Sequence, residues 1–139
     1  MTSSCGGCVM GVGADIIETG RFARIADQAP GGVASRLFTA GELHGQTARG
    51  RVAAQHLASR FAAKEAVMKS LGCGMDRIQF TDIELVNDDG GRPVAVLRGS
   101  ARARADELGV SEVMVSLSHT AHYVCAFAVA VGGGVCDPY

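Results

Sequence analysis

The spacing of apolar residues changes period several times along this chain. From Val9 to Ile17 it alternates, with Val12, Ala14 and Ile16 on one side and Gly11, Gly13, Asp15 and Ile17 on the other, which predicts a strand. Glu18 to about Ala29 switches to helical spacing, with Phe22, Ile25 and Ala26 as its apolar side and Pro30-Gly31-Gly32 as its stop. Thr39-Ala-Gly-Glu42 has the spacing of a capping box, so a short helix is expected there. The longest helical pattern runs from Val52 to Leu71, and Gly72 follows as a natural C-terminal stop. Ile78 to Val86 alternates like a strand, Asn87 to Gly91 is a turn cluster, and Pro93 to Leu97 returns as a second strand. A short helix over Ser100 to Leu108 ends at Gly109. Two last strands, Val113 to Leu117 and Tyr123 to Val131, are joined through Ser118-His-Thr-Ala-His122. With no repeat or linker in view, this pattern predicts an α+β fold of antiparallel hairpins, one unit over residues 9–131 between loose tails at 1–8 and 132–139.

Composition narrows this picture. The 139 residues suit one domain, and 47% hydrophobic against 19% charged residues is a globular balance. Only 5% are aromatic, so small aliphatic side chains must fill the core, and burial between subunits would add stability. A net charge of −1 gives no overall field for nucleic acid. No apolar run approaches the ~18 residues that a membrane span requires, and a cytoplasmic protein is expected. Of the five cysteines, Cys5 and Cys8 form a C-x-x-C without a second pair at zinc-site spacing, in a Ser- and Gly-rich tail. An odd count and no secretory signal argue against a disulfide scaffold.

The candidate chemistry sits in three segments. In Arg60-Phe-Ala-Ala-Lys-Glu-Ala-Val-Met-Lys69, the residues Ala54, Leu57, Phe61 and Met68 trace an apolar stripe on the helix, and Glu65 falls inside it. A carboxylate there needs compensation. Either Lys69, four residues on, pairs with it, or Glu65 holds a hard cation and leaves Lys69 and Arg60 for phosphate. Asp15 is a second carboxylate in an apolar strand. It either caps the following helix or joins Glu65, on a face where Gly11 and Gly13 leave room for a ligand or another backbone. Two carboxylates suit magnesium, which completes its octahedron with water and substrate phosphates. In Ser116-Leu-Ser-His-Thr120, His119 is a base, a phosphate ligand or a turn residue, and the Ser118 and Thr120 hydroxyls either bind phosphate or close the turn. No nucleophile-elbow pattern frames either serine.

Together with Gly11-Val-Gly-Ala-Asp-Ile-Ile-Glu18, these segments resemble the three signatures of the 4′-phosphopantetheinyl transferase superfamily, in the order and spacing of its small bacterial acyl-carrier-protein synthase type. The resemblance covers Val9 to Val131. It implies the fold of that superfamily, one unit per chain, assembled as a homotrimer with active sites between subunits. It implies transfer of the phosphopantetheine arm of coenzyme A to a serine of an acyl carrier protein, with release of 3′,5′-ADP. By motif, Asp15 and Glu65 match the Mg2+ ligands, and Glu65 is also the expected base. Lys69, Arg60 and His119 match positions around the coenzyme A phosphates, and Thr120 is expected to bind coenzyme A beside them. Arg21 matches a position that docks the acidic carrier, and Arg24, three residues on, shares its helix face. Ala14 stands where Thr is more usual before the metal aspartate. The rival readings are a metal-dependent nucleotide phosphohydrolase and a non-catalytic carrier-binding module. The carrier expected is one of fatty-acid or polyketide synthesis.

Overall fold

A computed structural model describes residues 7–28, 33–44 and 51–133. The elements in chain order are β1 (Cys8–Glu18), α1 (Thr19–Gln28), α2 (Val33–Leu37), α3 (Ala40–His44), α4 (Arg51–Ser70), a 3-10 turn at Phe80–Asp82, β2 (Ile83–Asn87), β3 (Pro93–Leu97), α5 (Gly99–Leu108), β4 (Val110–His119) and β5 (Tyr123–Gly132). The sheet order β1-β5-β4 is antiparallel throughout, and β2–β3 forms a separate hairpin. The fold is the expected mixture of helices and antiparallel strands. β1 already begins at Cys8 and β5 ends at Gly132, while the expected Pro30-Gly31-Gly32 stop and most of both expected tails lie outside the described residues.

Helix α4 organises the rest. It contains no Gly or Pro and is rich in Ala, so its intrinsic preference and its length agree. It ends at Gly72, whose φ of 67° is left-handed, while the Cys73 N–H donates back to the Met68 carbonyl at 3.2 Å. The single apolar stripe expected of it was too narrow. Ala58, Ala62, Ala63, Ala66, Val67 and Met68 are all buried, as is Lys64, because the sheet covers one side and the hairpin and α1 cover others. A helix enclosed this way needs apolar residues nearly all round.

The sheet meets α4 through small residues. Ala126, Ala128 and Ala130 of β5 are buried beneath it. On β1, a Cβ added to Gly13 would overlap the Ala66 carbonyl oxygen, and one added to Gly11 would overlap that of Ser70. Here the glycines admit another backbone, the second of the two uses foreseen for them. The scarce aromatics gather at one end, where Phe61 stacks on Phe80 at 5.2 Å and tilts against Phe22 at 5.5 Å.

The predicted strand over Ile78–Val86 is only half right. Ile78 and Phe80 are buried, but the backbone there makes turns, and pairing with β3 starts at Ile83. Asp82 explains the break: its carboxylate accepts from the Ser100 N–H at 2.8 Å and so caps α5, which holds the preceding segment out of the ladder. The capping box is real. The Thr39 N–H donates to Glu42 Oε1 at 2.9 Å and the Glu42 N–H donates to Thr39 Oγ1 at 3.2 Å.

Candidate active site

Asp15 lies within β1, with the strand continuing to Glu18, so it does not cap α1. Its inward face is set by the alternation that buries Gly11 and Gly13 against α4. The Gly13–Ala66 contact brings this part of β1 to the last two turns of the helix, where Glu65 and Lys69 project. Lys69 Nζ donates to the Ala14 carbonyl at 2.9 Å and to Asp15 Oδ1 at 3.3 Å. The helical Glu65–Lys69 pair weighed from spacing therefore does not form; the lysine reaches the strand instead. Glu65 is half-buried, and among the described residues it has no hydrogen bond or ion pair. Burial, and then the charge of Asp15, raises its pKa, against the opposing charge of Lys69.

Two carboxylates thus face one lysine, which touches only one of them. Excess negative charge at a half-buried carboxylate suits a hard cation. Among the described residues no three His, Cys, Asp or Glu side chains cluster as a metal cage. A cation here would have two protein ligands and an otherwise open shell, the arrangement magnesium uses with phosphate substrates.

Arg60 lies elsewhere. Five residues separate it from Glu65, about 140° around the helix. It is 7% exposed, and its Nη2 donates to Asn87 Oδ1 at 3.1 Å at the end of β2. It makes no ion pair with a carboxylate among the described residues. A cleft of about 460 Å³ opens in front of it, lined by His56, Asn87, Arg92 and the Ser116–Leu117 stretch of β4. His119 ends β4 exposed, on the strand face of Leu117 by alternation but beyond the residues lining the cleft. The Thr120 hydroxyl accepts from the Tyr123 N–H at 3.1 Å, so it closes the turn, and Gln55 of α4 anchors the Thr120 carbonyl at 3.0 Å. Arg21 and Arg24 are exposed on α1, and Arg21 borders a groove with Ile17, Phe61 and Tyr123.

The structure therefore joins Asp15, Glu65 and Lys69 and leaves Arg60, His119 and Thr120 apart from them. β1 and β4 are opposite edges of the three-stranded sheet, about 10 Å apart at two strand spacings. His56 and Asn87 were not singled out from sequence. The four-residue spacing of His56 and Arg60 on one helix was a usable signal for the first; for Asn87, a turn residue, there was none.

Residues 11–128 match the family model of the 4′-phosphopantetheinyl transferase superfamily. This chain belongs to that superfamily. The holo-[acyl-carrier-protein] synthase of Moorella thermoacetica is 48% identical over 117 residues, covering 84% of this chain and 90% of its own. The crystal structure of holo-ACP-synthase from Plasmodium yoelii superposes with a TM-score of 0.82 at 30% identity, over 91% of this chain and 98% of that one. A holo-(acyl-carrier-protein) synthase from Bacillus anthracis, in complex with CoA (3′,5′-ADP), gives a TM-score of 0.75 at 29% identity, over 91% and 99%. The chain is an enzyme, a phosphopantetheinyl transferase of the holo-acyl-carrier-protein synthase kind, with the fold expected from its sequence.

Proposed function

We propose that this enzyme moves the phosphopantetheine arm of coenzyme A onto a serine of an apo-acyl carrier protein and releases 3′,5′-ADP, with Mg2+ as cofactor. The observation that carries the reading is the pair Asp15 and Glu65, close enough that the charge of Asp15 raises the pKa of Glu65, with Lys69 paired to Asp15 beside them. The serine hydroxyl attacks the β-phosphorus of the coenzyme A pyrophosphate, and the bond to the 3′,5′-ADP oxygen breaks. Asp15 and Glu65 would hold the magnesium, which neutralises charge on the pyrophosphate when bound. Lys69 is half-exposed and only loosely tied to Asp15, so its ammonium can turn to a phosphate oxygen. Glu65 is half-buried beside Asp15 and has no hydrogen bond or ion pair among the described residues, and we assign it the serine proton.

The partner assembly is a homotrimer in this reading. Two features support it. The outer face of the sheet is apolar and bare: Val12, Ile16 and Phe127 are 67%, 64% and 53% exposed, and the strand register places Met114 in the row of Val12. The two sets of phosphate-site residues lie on different sides of α4, so one chain's Asp15, Glu65 and Lys69 can face a second chain's Arg60 and His119 across an interface. Arg21 and Arg24 would dock the acidic carrier at the rim.

Intact-mass spectrometry of an apo-carrier after incubation with coenzyme A and magnesium tests the activity. The carrier should gain one phosphopantetheine, and EDTA, Asp15→Ala or Glu65→Ala should each abolish most of the gain. Release of a nucleotide with no change in carrier mass would establish a hydrolase instead, and a carrier bound but unmodified would establish a binding module.

A further inference from the structure

The cleft beside Arg60 has two lobes that meet at His56, Arg60 and Asn87. The lobe toward α3 contains Glu42 and Glu84. Both carboxylates are engaged: Glu42 with Lys64 and the Leu85 N–H, and Glu84 with Thr39 Oγ1 and Arg98. They still carry negative charge and disfavour an anion there. The lobe toward β4 is lined by His56, Arg60 and Arg92, with no carboxylate among the described residues of its wall. Arg60 is nearly buried there, and among the described residues its side chain bonds only to the neutral Asn87, with Glu42 acting on it from the other lobe, so no carboxylate contacts the guanidinium on this side. His56 is one turn before Arg60 on α4, so both side chains address this lobe from the same helix face.

We propose that His56 is a second phosphate-binding side chain beside Arg60, selecting nucleotides that carry a phosphomonoester, as coenzyme A does on its ribose. This rests on the transfer reading above. Arg60 and Arg92 supply permanent charge, and His56 supplies a donor that becomes a cation when a dianion arrives. Burial, and then the charge of Arg60, holds the empty imidazole below its ordinary value of 6.5, with Glu42 opposing. The other charged groups facing the cleft are Glu84 on β2, in the lobe toward α3, and Arg92 of the hairpin turn, in the lobe toward β4, while the Val115–Leu117 wall of β4 carries no charge. A bound dianion favours the imidazolium, so binding draws a proton from solvent onto the ring.

The test is calorimetry at pH 7 in two buffers of different ionisation enthalpy, with coenzyme A and with dephospho-coenzyme A, which lacks the phosphomonoester. His56→Gln and His56→Phe should bind coenzyme A about tenfold more weakly, the loss of one charge-assisted hydrogen bond. Their affinity for dephospho-coenzyme A and their melting temperatures should match the wild type. The wild type should take up protons on binding coenzyme A, and the variants should not. Equal losses for both ligands, or no loss, would overturn the assignment while leaving the transfer reading intact. A wild-type protein that binds neither ligand would overturn both.

Discussion

Two lysines five residues apart on α4 have carboxylate partners and opposite fates. Lys64 is fully buried, with Nζ 2.6 Å from Glu42 Oε1, 2.7 Å from the Leu37 carbonyl and 3.0 Å from the Phe80 carbonyl. All three ammonium protons are used, and the ring of Phe38 lies 5.4 Å away. Lys69 is half-exposed and 3.3 Å from Asp15. The first pair ties α2, α3 and the 3-10 turn to the helix. The second leaves one of three donors unspent beside two carboxylates. Identical chemistry thus becomes architecture where every bond is made and reactivity where bonds are left open.

The largest effect should follow from breaking the buried pair. Lys64→Met leaves the Glu42 charge without its partner in the interior and should cost about 3–5 kcal/mol of stability. Adding Glu42→Gln should recover part of it, as denaturant melts of the single and double variants will show. Lys69→Ala sharpens the contrast from the other side. Transfer should fall at least about tenfold, while stability stays within about 0.5 kcal/mol of wild type, as for other exposed pairs. A loss of stability as large as that of Lys64→Met would erase the distinction between the two lysines. Because Lys69 and Asp15 meet within one chain, mixing Lys69→Ala chains with Asp15→Ala chains should restore no activity. Mixing Arg60→Ala with Asp15→Ala chains should restore part of it.

Smaller effects belong to the rim and to the open site itself. Arg21→Glu should slow carrier association a few-fold and leave coenzyme A binding unchanged, with the wild-type rate falling as salt screens charges beyond roughly 8 Å. Glu65→Gln removes a half-buried charge that repels Asp15. In metal-free protein it should raise the melting temperature by about 1–3 °C while abolishing transfer, which scanning calorimetry beside the mass assay would register.

What could be read from the sequence follows the same division. Asp15 and Glu65 were legible because each interrupts an apolar pattern, and the Thr39–Glu42 box because its bonds are local. Pro93–Leu97 was legible because its turn and its strand lie within one hairpin. Ile78–Val86 was misread because Asp82 makes its decisive bonds to Ser100, and alternation alone cannot show a partner so far along the chain. Lys64 stood in the central motif without a role, since its burial depends on carbonyls from two other segments. The partner of Lys69 was hidden for a similar reason: Glu65 was the neighbour in sequence, and Asp15 is the neighbour in space.

The contact of Gly13 with the Ala66 carbonyl has a consequence for how the distance between Asp15 and Glu65 is maintained. A slip of β1 by one residue would bring Ala14 opposite that carbonyl, where its methyl has no room, and would turn Asp15 to the outer face of the sheet. Strand pairing with β5 through Ala, Val and Cys would tolerate such a slip far better. The separation of the two acidic groups is thus set by exclusion at a backbone contact one turn of helix from the chemistry. Substitutions elsewhere can loosen the molecule without retuning that spacing, whereas a single methyl at residue 13 would shift it directly.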